Sequence, residues 1–86
     1  MSSVGEVARG IVFDVLGPVN GVPSAVELKD DLLLGEDLFA DELDLVEITI
    51  GLELAFGFEV PVEMVEVFES VGDVVGFAQG LVEQGV

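Results

Sequence analysis

The residues in this chain that could do chemistry are almost all carboxylates. Eighteen Asp and Glu stand against two cations, Arg9 and Lys29, and there is no histidine, cysteine, tyrosine or tryptophan. Thiol nucleophiles, thiolate metal sites, disulfides and imidazole acid–base catalysis are excluded by that inventory. Ser2, Ser3, Ser24, Ser70 and Thr49 supply hydroxyls, but no base motif accompanies them. Paired carboxylates alone can cleave glycosides, yet nothing in the spacing places a pair in a cleft. Asp30 to Asp41 has the length of a calcium loop, with Gly35 at its sixth position. Its third and fifth positions are Leu32 and Leu34, which cannot ligate, so the pattern fails. Asp30, Asp31, Glu36 and Asp37 could gather ions loosely, although a solvated acidic face is the simpler reading. The expectation is no catalytic residue, no specific metal site and no enzyme.

The stretch that organises the rest runs from Gly35 to Ile48 and reads as a loop entering a helix. Asp41 suits the N-cap, because its carboxylate can accept from a free amide of the first turn. Glu42, Asp44 and Glu47 then lie toward the positive end of the helix dipole. The helix continues through Ile48, Leu52 and Phe56 and stops at Gly57. Its apolar residues fall in two stripes when each residue turns the helix by about 100°. Leu45, Ile48, Leu52, Ala55 and Phe56 form the expected core stripe. Leu43, Val46, Ile50 and Leu54 lie nearly opposite, flanked by Asp44, Glu47 and Glu53. A helix apolar on two sides needs two surfaces to pack on. The second is either the rest of the domain or a partner protein; for Leu43 and Ile50 a partner is favoured, since complete burial is hard in so small a domain.

Before it, Ser3 and Glu6 make a capping-box pattern. Val4, Val7, Ala8, Ile11, Val12 and Val15 then recur at helical spacing, and Leu16-Gly17-Pro18 is expected to end that helix. A long connection follows from Val19 to about Ala40, with turn signals at Asn20-Gly21 and Pro23-Ser24. Ala25 to Leu33 has room for a helical turn or two, and Val26, Leu28, Leu32 and Leu34 are expected to pin it to the core. After Gly57, Pro61 preorganises a short helix from Val62 to Phe68 with Val65 and Phe68 inward. Ser70 and Asp73 cap the last helix, whose stripe is Val71, Val74, Val75, Ala78, Leu81 and Val82, with Gly85 as its end. Both outer helices are rich in valine and glycine, so packing rather than propensity must hold them.

Eighty-six residues, about half of them apolar, suffice for one domain with one core. A net charge of −16 repels nucleic acid and anionic lipid and attracts basic protein patches. Its self-repulsion makes the fold sensitive to salt. The first residues lack the charged and apolar regions of a signal peptide, and no apolar run is long enough to span a bilayer. A cytoplasmic monomer is expected. The pattern of three main helices, one short helix and a long first loop describes an all-α antiparallel bundle.

The central stretch also carries a resemblance. Glu36-Asp37-Leu38-Phe39-Ala40-Asp41-Glu42-Leu43-Asp44-Leu45-Val46-Glu47 is similar to the E-D-L-x-A-D-S-L-D-x-V-E signature of acyl carrier proteins. The likeness continues through Leu52, Glu53, Phe56, Glu59, Val60 and Pro61 and covers nearly the whole chain, with a few extra residues in the first loop. It implies a four-helix carrier bundle with a short third helix, and a cytosolic carrier of thioester-linked acyl chains in fatty-acid or polyketide biosynthesis. It implies docking onto basic patches of acyl-transfer, synthase and phosphopantetheinyl transferase enzymes through Asp41, Leu43, Asp44, Glu47, Ile50 and Glu53. It also places the cofactor attachment site at Asp41-Glu42-Leu43. In the family a serine there bears phosphopantetheine through a phosphodiester; here Glu42 replaces it. Glutamate serves a helix start as well as serine but has no hydroxyl. The implied cofactor state is therefore none as written, with phosphopantetheine expected if position 42 were serine. The alternative is a carrier-derived acidic interaction module that carries nothing.

Overall fold

The computed structural model describes residues 3–84. Three α-helices, α1 (Val4–Asn20), α2 (Glu42–Phe56) and α3 (Val71–Gln84), are joined by segments holding short 3₁₀ helices at Ala25–Glu27 and Val62–Glu66. An antiparallel bridge between Leu33 and Ser70 is the only extended pairing among the described residues. This is the expected carrier-like helical bundle, with the short third helix wound as the five-residue 3₁₀ helix. α1 packs against both α2 and α3. Among the described residues no helix is long and apolar enough to cross a membrane.

The helix starts are built as their sequences predict. Ser3 Oγ accepts from the Glu6 amide at 3.1 Å, and Glu6 returns the bond to the Ser3 amide. Ser70 and Asp73 exchange the same pair of bonds at the head of α3, each 3.1 Å. The expected stop at Gly85 lies outside the described residues. α1, however, does not end at Leu16-Gly17-Pro18. It runs through Pro18 to Asn20 and stops at Gly21, whose φ of 68° is left-handed. Proline removes one amide, the one that would reach the Asp14 carbonyl on the exposed side of the helix. The last turn is held instead by Asn20, whose side-chain amide donates to the carbonyls of Leu16 and Leu38, both at 2.8 Å.

Each helix and the long loop contribute to one core. α1 supplies Ala8, Val12 and Leu16, α2 Ile48 and Leu52, and α3 Val71, Val74, Val75 and Ala78. Leu28, Leu34 and Leu38 enter it from the loop, as expected for the first two, whereas Val26 is 73% exposed. Val26 lies within the 3₁₀ turn, and Leu28, just past it, takes the inward position. Gly51 allows α1 and α2 to approach closely: a Cβ there would stand 2.7 Å from the Ile11 Cγ2 atom.

Two further inward positions differ from expectation. Met64, not Val65, packs with Phe68 on the core. The Phe68 amide donates to the Met64 carbonyl at 3.1 Å, so these two share a face. Phe68 in turn meets Phe77 edge-on, with ring centroids 5.4 Å apart. On α2, Ala55 is exposed while Thr49 is buried. Ala55 lies about 80° off the centre of the buried arc and is too short to reach it, whereas Thr49 falls about 40° from that centre. The Thr49 hydroxyl is satisfied by donating to the Val46 carbonyl at 2.7 Å.

The loop is fastened at both sides before it delivers the chain to α2. Arg9 on α1 donates one guanidinium N–H to the Leu28 carbonyl and pairs with the Asp30 carboxylate at 2.7 Å. Farther on, the Leu34 amide donates to the Glu69 carbonyl at 2.9 Å, Val71 to Leu32 at 3.0 Å and Gly72 to Asp30 at 2.9 Å. The loop is thus stitched to the start of α3.

Candidate functional site

The site is the loop-to-helix junction from Glu36 to Leu54. Its first part is a tight turn. Asp37 accepts from the Leu33 amide through its carboxylate at 2.8 Å and donates its own amide to the Leu33 carbonyl at 2.9 Å. Leu38 is buried, and the Ala40 amide donates to the Leu34 carbonyl at 2.8 Å. Between those tied residues Phe39 adopts φ 56° and leaves its side chain 75% exposed. Left-handed backbone costs a residue with a Cβ roughly 1–2 kcal/mol. A phenylalanine carries no residue-type signal for this dihedral, so the sequence gives no warning of it.

Asp41 then caps α2. Its carboxylate accepts from the Asp44 amide at 2.9 Å, and the Asp44 carboxylate accepts from the Asp41 amide at 3.1 Å. Glu42 is the first helical residue and is exposed. The second apolar stripe faces outward: Leu43 is 68% exposed, Ile50 49% and Leu54 82%, while Val46 is half-buried. Glu47 is exposed beside them and makes no hydrogen bond through its side chain among those of the described residues. Glu53 is half-buried and accepts from the Val60 amide at 3.2 Å, tying α2 to the segment that follows it. Gly57 ends the helix with φ 74°. A cleft of about 400 Å³ opens beside the junction, between Leu34, Ala40, Leu45 and Phe68.

All seven predicted positions therefore lie along one helix and its cap, and the structure divides them by what they do in the fold. Asp41, Asp44 and Glu53 have structural bonds; Glu42, Leu43, Glu47 and Ile50 have side chains turned to solvent. No group of three or more acids among the described residues is gathered closely enough to hold a metal ion. Among the described residues the serines are elsewhere: Ser3 and Ser70 cap α1 and α3, and Ser24 precedes the first 3₁₀ turn.

No protein-family model matches the chain. Individual proteins do. It is 38% identical over 79 residues to an acyl carrier protein of Clostridium acetobutylicum, an alignment covering 92% of this chain and 96% of that one. It is 38% identical over 78 residues to an acyl carrier protein of Akkermansia muciniphila, covering 91% of each. One from Campylobacter hominis is 37% identical over 76 residues, covering 88% of this chain and 90% of its own.

The chain belongs to the acyl carrier protein family.

Acyl carrier proteins are carriers and not enzymes. The family's prosthetic group is phosphopantetheine. At the head of α2 Glu42 presents an exposed carboxylate, and the capping acids Asp41 and Asp44 beside it add charge of the same sign.

Proposed function

We propose that this chain is a carrier-type protein of fatty-acid or polyketide biosynthesis that docks partner enzymes through acidic α2 and, as written, bears no phosphopantetheine arm. The observation that carries the reading is the head of α2. Asp41 caps it, Glu42 stands exposed at its first position, and Leu43 and Ile50 form an uncovered apolar pair rimmed by acids. An apolar centre with a charged rim is the anatomy of a protein interface. The partners this chemistry selects are basic patches on acyl-transfer, synthase and phosphopantetheinyl transferase enzymes, in the cytoplasm, with the carrier a monomer. Neither nucleic acid nor membrane suits a net charge of −16.

The second reading is an interaction module of carrier descent that keeps the docking face and carries nothing. It is favoured by the same pairing of an exposed apolar face with a lost hydroxyl. Intact mass after incubation with a broad-specificity phosphopantetheinyl transferase and coenzyme A separates the two. The unaltered chain gains no arm; Glu42→Ser gains one if the chain still has a working docking face. Loading of the unaltered chain would refute the role given to Glu42. Failure of Glu42→Ser to load favours the module.

A further inference from the structure

Phe39 is the one non-glycine residue with positive φ among those described. A bulky aromatic seldom takes that conformation, and here both neighbouring peptide groups enforce it. The Leu38 amide donates to Leu33 and the Leu38 carbonyl accepts from Asn20, while the Ala40 amide donates to Leu34 at 2.8 Å. Leu38 is buried and Ala40 half-buried, so the residue between them cannot relax by moving either one. Glycine would adopt this φ without strain. The chain instead holds a strained backbone and an aromatic ring in water, and the core uses neither. Strain of this kind collects at binding sites, and large aromatics dominate binding energy at interfaces.

We infer that Phe39 is an aromatic anchor that enters an apolar socket, framed by lysine and arginine, on enzymes that recognise the head of α2. This rests on the docking reading above and adds a residue outside α2 to it. The occupant follows from charge. Glu36, Asp37, Asp41 and Glu42 are exposed acids on either side of the ring. In a chain of net charge −16 they attract a basic rim and repel a second copy.

The test uses the full chain carrying Glu42→Ser, a phosphopantetheinyl transferase and coenzyme A, with loading followed by intact mass. Adding Phe39→Ala or Phe39→Gly lowers the second-order loading rate about tenfold or more. Phe39→Tyr retains most of it, and Val26→Ala, which trims an exposed apolar residue of the first 3₁₀ turn, leaves it unchanged. Surface plasmon resonance of the chain with Glu42 intact against the same transferase shows faster dissociation for both Phe39→Ala and Phe39→Gly. Because glycine accepts the local backbone, the Phe39→Gly variant separates the ring from the strain. Loss with alanine but not with glycine assigns the effect to backbone strain and overturns the anchor. Equal loading with and without the ring also overturns it, leaving the docking reading intact. If Glu42→Ser never loads, the interaction-module reading gains and the dissociation rates of the chain with Glu42 intact decide: equal rates with and without the ring overturn the anchor, and no binding at all overturns the docking reading beneath it. A dimer in sedimentation that Phe39→Ala dissolves would give the ring to a second copy instead.

Discussion

At the scale of single residues, the junction before α2 is held by side chains that do one local job each. Asp41 is an N-cap in a reciprocal pair with Asp44. Replacing Asp41 by alanine should lower stability by about 1 kcal/mol, or roughly 4–8 °C in Tm for a domain of this size; Asp41→Asn should retain most of it in the same thermal melts. Arg9 makes two contacts of unequal worth. Its partner Asp30 is 66% exposed, so the ion pair itself contributes little. The bond from the guanidinium to the Leu28 carbonyl fastens the loop, and a hydrogen bond to a charged group is worth about 1.5–3 kcal/mol. Arg9→Met should therefore destabilise clearly more than Asp30→Asn in denaturant titrations. Equal losses would mean that the ion pair, not the carbonyl clasp, does the holding.

At the scale of elements, α2 has two faces with different requirements. On its core side Gly51 meets Ile11, and a methyl group there has only 2.7 Å of room against a β-branched side chain. Alanine normally favours a helix over glycine by about 1 kcal/mol. Here the overpacking term, about 1–3 kcal/mol, should win, so Gly51→Ala should lower Tm. A rise in Tm would show that Ile11 yields. On the outer side the docking prediction is best tested at Glu47 and Ile50. Asp44 belongs to the α2 cap and Glu53 holds the Val60 amide, so reversing either disturbs the fold as well as the rim. Glu47→Lys should slow association with a basic carrier-protein enzyme and flatten its salt dependence. Ile50→Ala should instead speed dissociation, with circular dichroism unchanged. Unfolding by Ile50→Ala would place the outer stripe in the core after all.

At the scale of the whole molecule, electrostatics opposes the fold. A net charge of −16 is met by one ion pair among the described residues, Arg9 with Asp30. Screening that repulsion should raise Tm between low and moderate salt, and millimolar magnesium or calcium should add to the effect without a specific site. A Tm that stays flat would show that repulsion is a minor term. What holds the molecule against it is the single core shared by three helices and the long loop, together with the stitches from the loop to the start of α3.

How much of this was legible follows the range of the interactions involved. The caps at Ser3, Asp41 and Ser70, the glycine stop at Gly57 and the two-sided pattern of α2 depend on residues three or four apart, so the amino-acid order alone determined them. The signature from Glu36 to Glu47 likewise made the family legible. Other features depended on groups far apart in the chain. α1 passes Pro18 because Asn20 reaches the Leu38 carbonyl, eighteen residues away. Val26 is left outside because Arg9 takes hold of the loop two residues beyond it. The core stripe of α2 was legible, but whether the second stripe would be covered by the rest of the domain was open until α1 and the 3₁₀ segment were seen to pack on the core side. The left-handed Phe39 was invisible for the same reason: its φ is imposed by hydrogen bonds to Leu33, Leu34 and Asn20, and only the closed tertiary structure brings those groups together.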